Sequence, residues 1–441
     1  MSAEDRQRIS ARWGMQIAAV MAVMALAAEL FRINDPWMLL PLGLCVTVSV
    51  LWLHFRFSAV DAAVLAVCLY DVATWILNPI TGMYAARISL TGLCVYLLLR
   101  EASCRTEGIP LFLKLATGIT SVALAITLAS FAIWTEAVHG AGFADVYPFR
   151  FLFRPFGYIT NAWASVWLPV LGMLTVGMYR ITRWRKVFGV CWVLASITML
   201  LSFSRGAFVS WAVYVTVLCV SMATWRYRLV LVAVCVFIVG TVWMLFPTET
   251  GTTLAMKRTE SQRQSTESRF RATEQAMTVI KEHLWTGTGN GSYTLAMDRV
   301  LNEDSTRPYT SYAPNVVVQV LVEKGLTGMM LYIGLCAAVV IYWIKYRKKK
   351  TMTAIAACLL AVGVKEMTMS IMLADGSVWI LTLILLALMQ TEAESGNETV
   401  KSVRLTAWIR YMPLAVGCCC WIAFMVLDTR LRMDNKAVEQ A

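Results

Sequence analysis

Residues 187–246 read VFGVCWVLASITMLLSFSRGAFVSWAVYVTVLCVSMATWRYRLVLVAVCVFIVGTVWMLF. Three apolar runs, 187–203, 207–224 and 229–246, follow one another there, and only Arg205, Arg226 and Arg228 are charged. Each run comes close to the roughly 20 residues a helix needs to cross a bilayer. The rest of the 441-residue chain has the same character: 59% of residues are hydrophobic and 15% charged. Soluble globular domains carry roughly 45–50% and about 25%. No soluble core hides such an excess, so it must face lipid. Working outward from 187–246, further spans are expected near 13–31, 37–54, 58–78, 84–100, 109–134, 160–179, 326–344, 352–373, 377–391 and 408–427. The fold class is therefore all-α: a polytopic integral membrane protein of about 12–13 transmembrane helices.

The formal net charge of +12 suggests nucleic acid until its distribution is read. A nucleic-acid surface needs a contiguous basic face interleaved with aromatics. Here the basic residues sit in short clusters between apolar runs, as the positive-inside rule produces. With the N-terminus in the cytoplasm, the inside loops hold Arg56; Arg100, Arg105 and Lys114; Arg180, Arg183, Arg185 and Lys186; Arg226 and Arg228; the run from Lys345 to Lys350; and Lys401 and Arg404. The short outside loops hold only Arg32, Arg87, Arg150, Arg154 and Arg205. Arg6, Arg8 and Arg12 precede the first apolar run, and no small-residue cleavage site follows it, so a retained first helix is expected rather than a signal peptide. Eleven of the twelve cysteines lie in apolar runs and Cys104 in a short loop, with no C-x-x-C and no histidine nearby. They read as membrane-core residues, and neither a metal nor another cofactor is expected.

The chain divides into an N-terminal bundle (1–246, with an outer loop near 135–159), a large outer loop (247–325) and C-terminal helices (326–441). The large loop is far longer than an ordinary connection. Within it Phe270, Thr273, Met277, Ile280 and Leu284 recur at helical spacing, an amphipathic stripe with Thr266 or Ser268 as its cap. Gly287-Thr288-Gly289-Asn290-Gly291 follows that helix. A glycine run cradles phosphate when it precedes a helix, so this one reads as a turn. Lys365 and Glu366 are adjacent, about 100° apart on a helix, so they cannot form one charged face. They, like Asp61 and Asp71, are expected to pair with neighbouring helices.

Four elements of this sequence occur in a known order. They are Arg154-Pro155-Phe156-Gly157 through Asn161, then Ser204-Arg205-Gly206, then Arg269 leading a helix that ends at Gly287 and Gly289, and last Asn315, Gly325 and Gly328. Together they resemble the O-antigen ligase and polymerase superfamily of bacterial inner-membrane glycosyltransferases. In the last motif that family has a histidine where this chain has Pro314. The resemblance implies transfer of a glycan from an undecaprenyl-pyrophosphate donor to an acceptor hydroxyl on lipid A core, polysaccharide or protein, at the periplasmic face. Polymerisation of the same glycans is the alternative, and a lipid-linked glycan flippase is the alternative from another class. The guanidiniums of Arg205 and Arg269 are expected to hold the pyrophosphate, with Arg154, Arg271 and Asn315 assisting. With no motif histidine, Tyr312 and Glu323 are the first candidates for proton transfer, followed by Asp304, His139 and His283; His54 falls on the cytoplasmic side.

Overall fold

The computed structural model describes residues 3–32, 57–78, 82–103, 107–143, 146–245, 252–301, 312–374 and 376–394. Thirteen α-helices lie among them: α1 (Ala3–Leu30), α2 (Ala59–Ala73), α3 (Gly82–Ala102), α4 (Gly108–Gly140), α5 (Thr160–Arg180), α6 (Arg185–Leu200), α7 (Arg205–Ser221), α8 (Trp225–Leu245), α9 (Thr252–Glu282), α10 (Tyr293–Leu301), α11 (Val316–Tyr346), α12 (Lys350–Glu366) and α13 (Gly376–Glu394). No strand occurs among the described residues. Six stretches are long and apolar enough to cross a membrane: Ala59–Leu77, α4, α5, α8, α11 and α13. Ala18–Leu30 and α7 are shorter apolar helices. The spans expected at 37–54 and 408–427, with His54, Cys104, Asp304 and Asp375, lie outside the described residues.

Burial sorts the helices. The apolar window of α13 is wholly enclosed, whereas α8 exposes Leu229, Val230, Val236, Phe237 and Trp243. An apolar helix with an open face is at home only against lipid. At one end of the bundle, charged side chains close into networks. Asp61, which caps the first turn of α2, accepts from Arg100 Nε at 2.9 Å, and Arg100 also reaches Glu394 at 2.6 Å. Arg180 pairs with Glu392, whose side chain and carbonyl accept from Thr351 and Lys349. Toward the other end of α2, beside the glycine turn, Asp71 meets Lys324 at 2.5 Å and accepts from Ser89 at 2.9 Å. Both aspartates thus pair with neighbouring helices, as expected. Lys365 and Glu366 do not. The Lys365 ammonium is buried with no hydrogen-bond partner, and Glu366 accepts two backbone N–H groups, of Ile371 and Met372, just beyond its own helix.

The long connection between α8 and α11 folds back onto the bundle. α9 is a helix as expected, but it begins at Thr252, so neither Thr266 nor Ser268 caps it. Its inward face is also rotated from the expected stripe. Ala272, Gln275, Ala276, Val279 and Ile280 are buried, while Phe270, Met277 and Leu284 are exposed. Small alanines permit close packing, and Ala276, Val279 and Ile280 meet Tyr293 and Met297 of α10 and Val318 and Val322 of α11.

Beyond α9, the glycine turn locks against a break in α11. Thr288 N–H donates to Val322 O at 2.9 Å and Gly289 N–H to Glu323 O at 2.9 Å, while Leu326 N–H donates to Leu284 O at 2.8 Å. Gly325 sits at φ 62° and ψ −164°, where a side chain is strained, and splits α11 into two rods. Gly287, at φ +67°, brings its α-carbon so close that an added Cβ would lie 2.4 Å from backbone atoms of Glu323 and Lys324. The junction is backbone against backbone.

Candidate active site

At the end of the bundle opposite the Arg100 and Arg180 networks, four chain segments enclose a cavity of about 410 Å³. Arg150, Phe151, Thr160 and Asn161 supply one wall, and Ser202 through Gly206 with Val209 a second. Thr266 and Arg269 come from α9, and Thr368 and Met369 from the turn after α12. Two helices, α5 and α7, present their N-termini to this space. Neither has a side-chain cap, so their first N–H groups and the positive ends of their dipoles remain available to an anion.

The local sequence explains how Arg205 arrives there. α6 stops at Leu200, and Phe203 takes φ 50°, a left-handed conformation that costs a non-glycine residue about 1–2 kcal/mol. The chain thereby reverses, and α7 starts at Arg205 with an exposed guanidinium. Gly206 lies flat on the end of α12: an added Cβ would stand 2.3 Å from Thr368 Oγ1 and 3.3 Å from Lys365 Cδ. Arg269, half-buried on α9, completes the pair. Burial, and then the positive charge of Arg205, hold its guanidinium below the ordinary arginine value. Lys365 lies within range of the same repulsion from Arg269. The site is thus a concentration of positive charge at two helix N-termini, suited to an anion with several oxygens.

Of the residues expected from sequence, Arg205 and Arg269 come together here, from positions 64 apart in the chain. Arg271 points elsewhere and is exposed, because two positions on a helix turn by about 200°. Arg154 is also exposed and donates to its own loop at Phe151 O, 3.2 Å away. The arginine of that loop which lines the cavity is Arg150, with Phe151 beside it under a cation–π contact of 4.0 Å. The sequence singled out this loop but not this arginine. Its presence on an arginine-poor side, four residues before Arg154, was the available signal.

The last motif has structural work. Asn315 caps α11, accepting from Val318 N–H at 2.9 Å. Glu323 is buried and accepts from Gln319 Nε2 at 3.0 Å and from the N–H of Tyr293, the first residue of α10, at 3.3 Å. Gly325 is the break in α11, and Gly328 lies close to Tyr70 of α2. Tyr312 is half-buried just before Ala313, whose carbonyl accepts Ser370 N–H at 3.1 Å, so it stands beside the segment that gives Thr368 and Met369 to the cavity. Pro314 is buried. His139 belongs to the last turn of α4, with Nδ1 2.9 Å from Phe143 O, and His283 is exposed just past α9.

Residues 190–333 match the family model of O-antigen ligase. This stretch of the chain is similar to the O-antigen ligase family. This bears out the resemblance read from the motifs and supports a glycosyl-transfer role of ligase or polymerase type. The matched stretch runs from α6 into α11, and so holds Arg205, Arg269 and the glycine junction. Arg150, Asn161 and Thr368, which complete the cavity, lie outside the matched residues. No curated protein matches the chain.

Proposed function

We propose that the chain transfers a glycan from an undecaprenyl-pyrophosphate donor to an acceptor hydroxyl, with the cavity as the donor site. The observation that carries this reading is the meeting of Arg150, Arg205 and Arg269 with the uncapped N-termini of α5 and α7. A pyrophosphate diester brings two ionised phosphates beside a long apolar tail. Guanidiniums grip such oxygens bidentately, and lipid outside the bundle accepts the tail. In the reaction the acceptor oxygen bonds to the anomeric carbon as the bond from that carbon to the pyrophosphate oxygen breaks. The electron pair leaves with the pyrophosphate, and the hydroxyl proton passes to a base. The arginines stabilise the charge growing on the leaving group, which requires no metal. Tyr312 is the proton acceptor to test first, because Glu323 is engaged at the α10 N-terminus.

The face is proposed to be periplasmic. Arg180, Lys349 and their neighbours gather at the end away from the cavity, and basic clusters favour the cytoplasm. In this reading the membrane is the bacterial inner membrane, residues 1–246 and 326–441 form the membrane bundle, and 247–325 is the loop that closes over the donor. The deciding experiment removes the chain from its host and follows lipid-linked glycan. A ligase leaves full-length glycan on the lipid, and a polymerase leaves single units. Glycan stranded on the cytoplasmic side would mean a flippase and overturn the proposal.

A further inference from the structure

Beneath the arginines lies a charge that neither the motifs nor the matched domain accounts for. Lys365, in the last turn of α12, is 1% exposed, and its ammonium has no hydrogen-bond partner. No carboxylate stands within ion-pair distance of it among the described residues. Glu366, its sequence neighbour, attracts it without forming an ion pair, and its carboxylate is taken up by the N–H groups of Ile371 and Met372, each at 2.8 Å. The Lys365 stem passes under Gly206, the second residue of α7, and its backbone carbonyl accepts Thr368 Oγ1, a cavity-wall group, at 2.7 Å. It feels the positive charge of Arg269. A cation buried within the field of Arg269 is unfavourable in an empty site and more favourable once an anion lies over the cavity. Water screens such a charge little, so its field reaches into the cavity.

We propose that Lys365 is a third cation of the donor site, a positioning residue that supplies a fixed buried positive charge beneath the pyrophosphate and its leaving oxygen. This rests on the donor-site reading above. Contact with the ligand is not required, because Gly206 and Thr368 stand between. The absence of a side chain at Gly206 keeps that layer thin.

The test uses the full chain in proteoliposomes with an undecaprenyl-pyrophosphate-linked glycan, comparing wild type with Lys365→Met, Lys365→Gln, Lys365→Arg and Arg205→Ala. Donor and acceptor are varied separately, and thermal stability is measured on each variant. Lys365→Met is expected to lower kcat/KM for the donor roughly tenfold or more, leave the acceptor KM unchanged, and lose no thermal stability. Lys365→Arg should restore part of the donor term. Wild-type donor kcat/KM in Lys365→Met, with Arg205→Ala impaired, overturns the role of Lys365 and leaves the donor site standing. Wild-type donor kinetics in Arg205→Ala overturn the donor site and this inference with it. Failure of both Lys365→Met and Lys365→Gln to accumulate as folded protein makes the lysine structural and also overturns it.

Discussion

Arginine at a membrane surface is ordinary when it snorkels alone, but here two of them are held where they repel. Arg269 is half-buried with Arg205 close enough to disfavour its charge. A site that keeps such a pair stores unfavourable energy that an anion releases, so stability and function should separate. Arg205→Ala and Arg269→Ala are each expected to abolish or nearly abolish transfer without lowering the melting temperature, measured on purified protein beside the transfer assay. Lysine at either position should rescue only partly, since a point charge cannot reproduce the planar fork. Full transfer by both alanine variants would remove the donor site. The loop arginines make a second contrast. Arg150 faces the cavity and Arg154 does not, so Arg150→Ala should raise the donor KM severalfold while Arg154→Ala leaves it near wild type. The reverse order would mean that the loop closes differently around donor. Gly206 supplies a third check. Gly206→Ala sets a methyl against Thr368 and Lys365, an overpacking worth about 1–3 kcal/mol, and should impair transfer, with Thr368→Ala relieving part of the defect.

Among the elements, the junction of the glycine turn with the broken α11 positions α9, and therefore Arg269. Its geometry rests on Gly287 and Gly325, both left-handed and each in backbone contact with the opposite strand of the junction. Backbone cannot yield as a flexible side chain can. Gly287→Ala should therefore reduce the yield of folded protein sharply. Gly118→Ala in α4, where an added methyl meets nothing within 4 Å, should be neutral or slightly stabilising. Equal yields in detergent extraction would mean that the junction does not support the fold. The helix itself was legible from periodicity, but its buried face was not. Phe270, Met277 and Leu284 are the larger apolar residues and dominate any sequence stripe, yet the neighbours of α9 accept only its small face at Ala272 and Ala276. The Asn315–Gly325–Gly328 motif was legible as a motif, but its structural duties were not: Asn315 caps α11, Gly325 breaks it against the glycine turn, and Gly328 packs on Tyr70 of α2.

For the molecule as a whole, the arrangement of charge yields a topological prediction. The cavity and the Arg180–Glu392 network lie at opposite ends, so Glu274 and Lys348, both exposed, should lie on opposite sides of the membrane. Substituted cysteines at these positions, probed with a membrane-impermeant reagent on intact and opened cells, check this. Labelling of both from one side would remove the proposed orientation. Composition and hydropathy by themselves determined that the chain is an α-helical membrane protein and where most of its described spans fall. Those properties are local: about 20 apolar residues in lipid have no choice but to satisfy their backbone bonds as a helix. The order of the short motifs determined the superfamily resemblance and named Arg205 and Arg269. Only the tertiary structure decided that these two share a cavity with Arg150, and that Arg154 and Arg271 stand aside. It alone decided that Glu323 caps α10 and that Lys365 is buried beneath Gly206 without a partner. These depend on which helix ends meet and by how many degrees each helix is turned, and a chain's local preferences do not specify such rotations until its neighbours are packed against it.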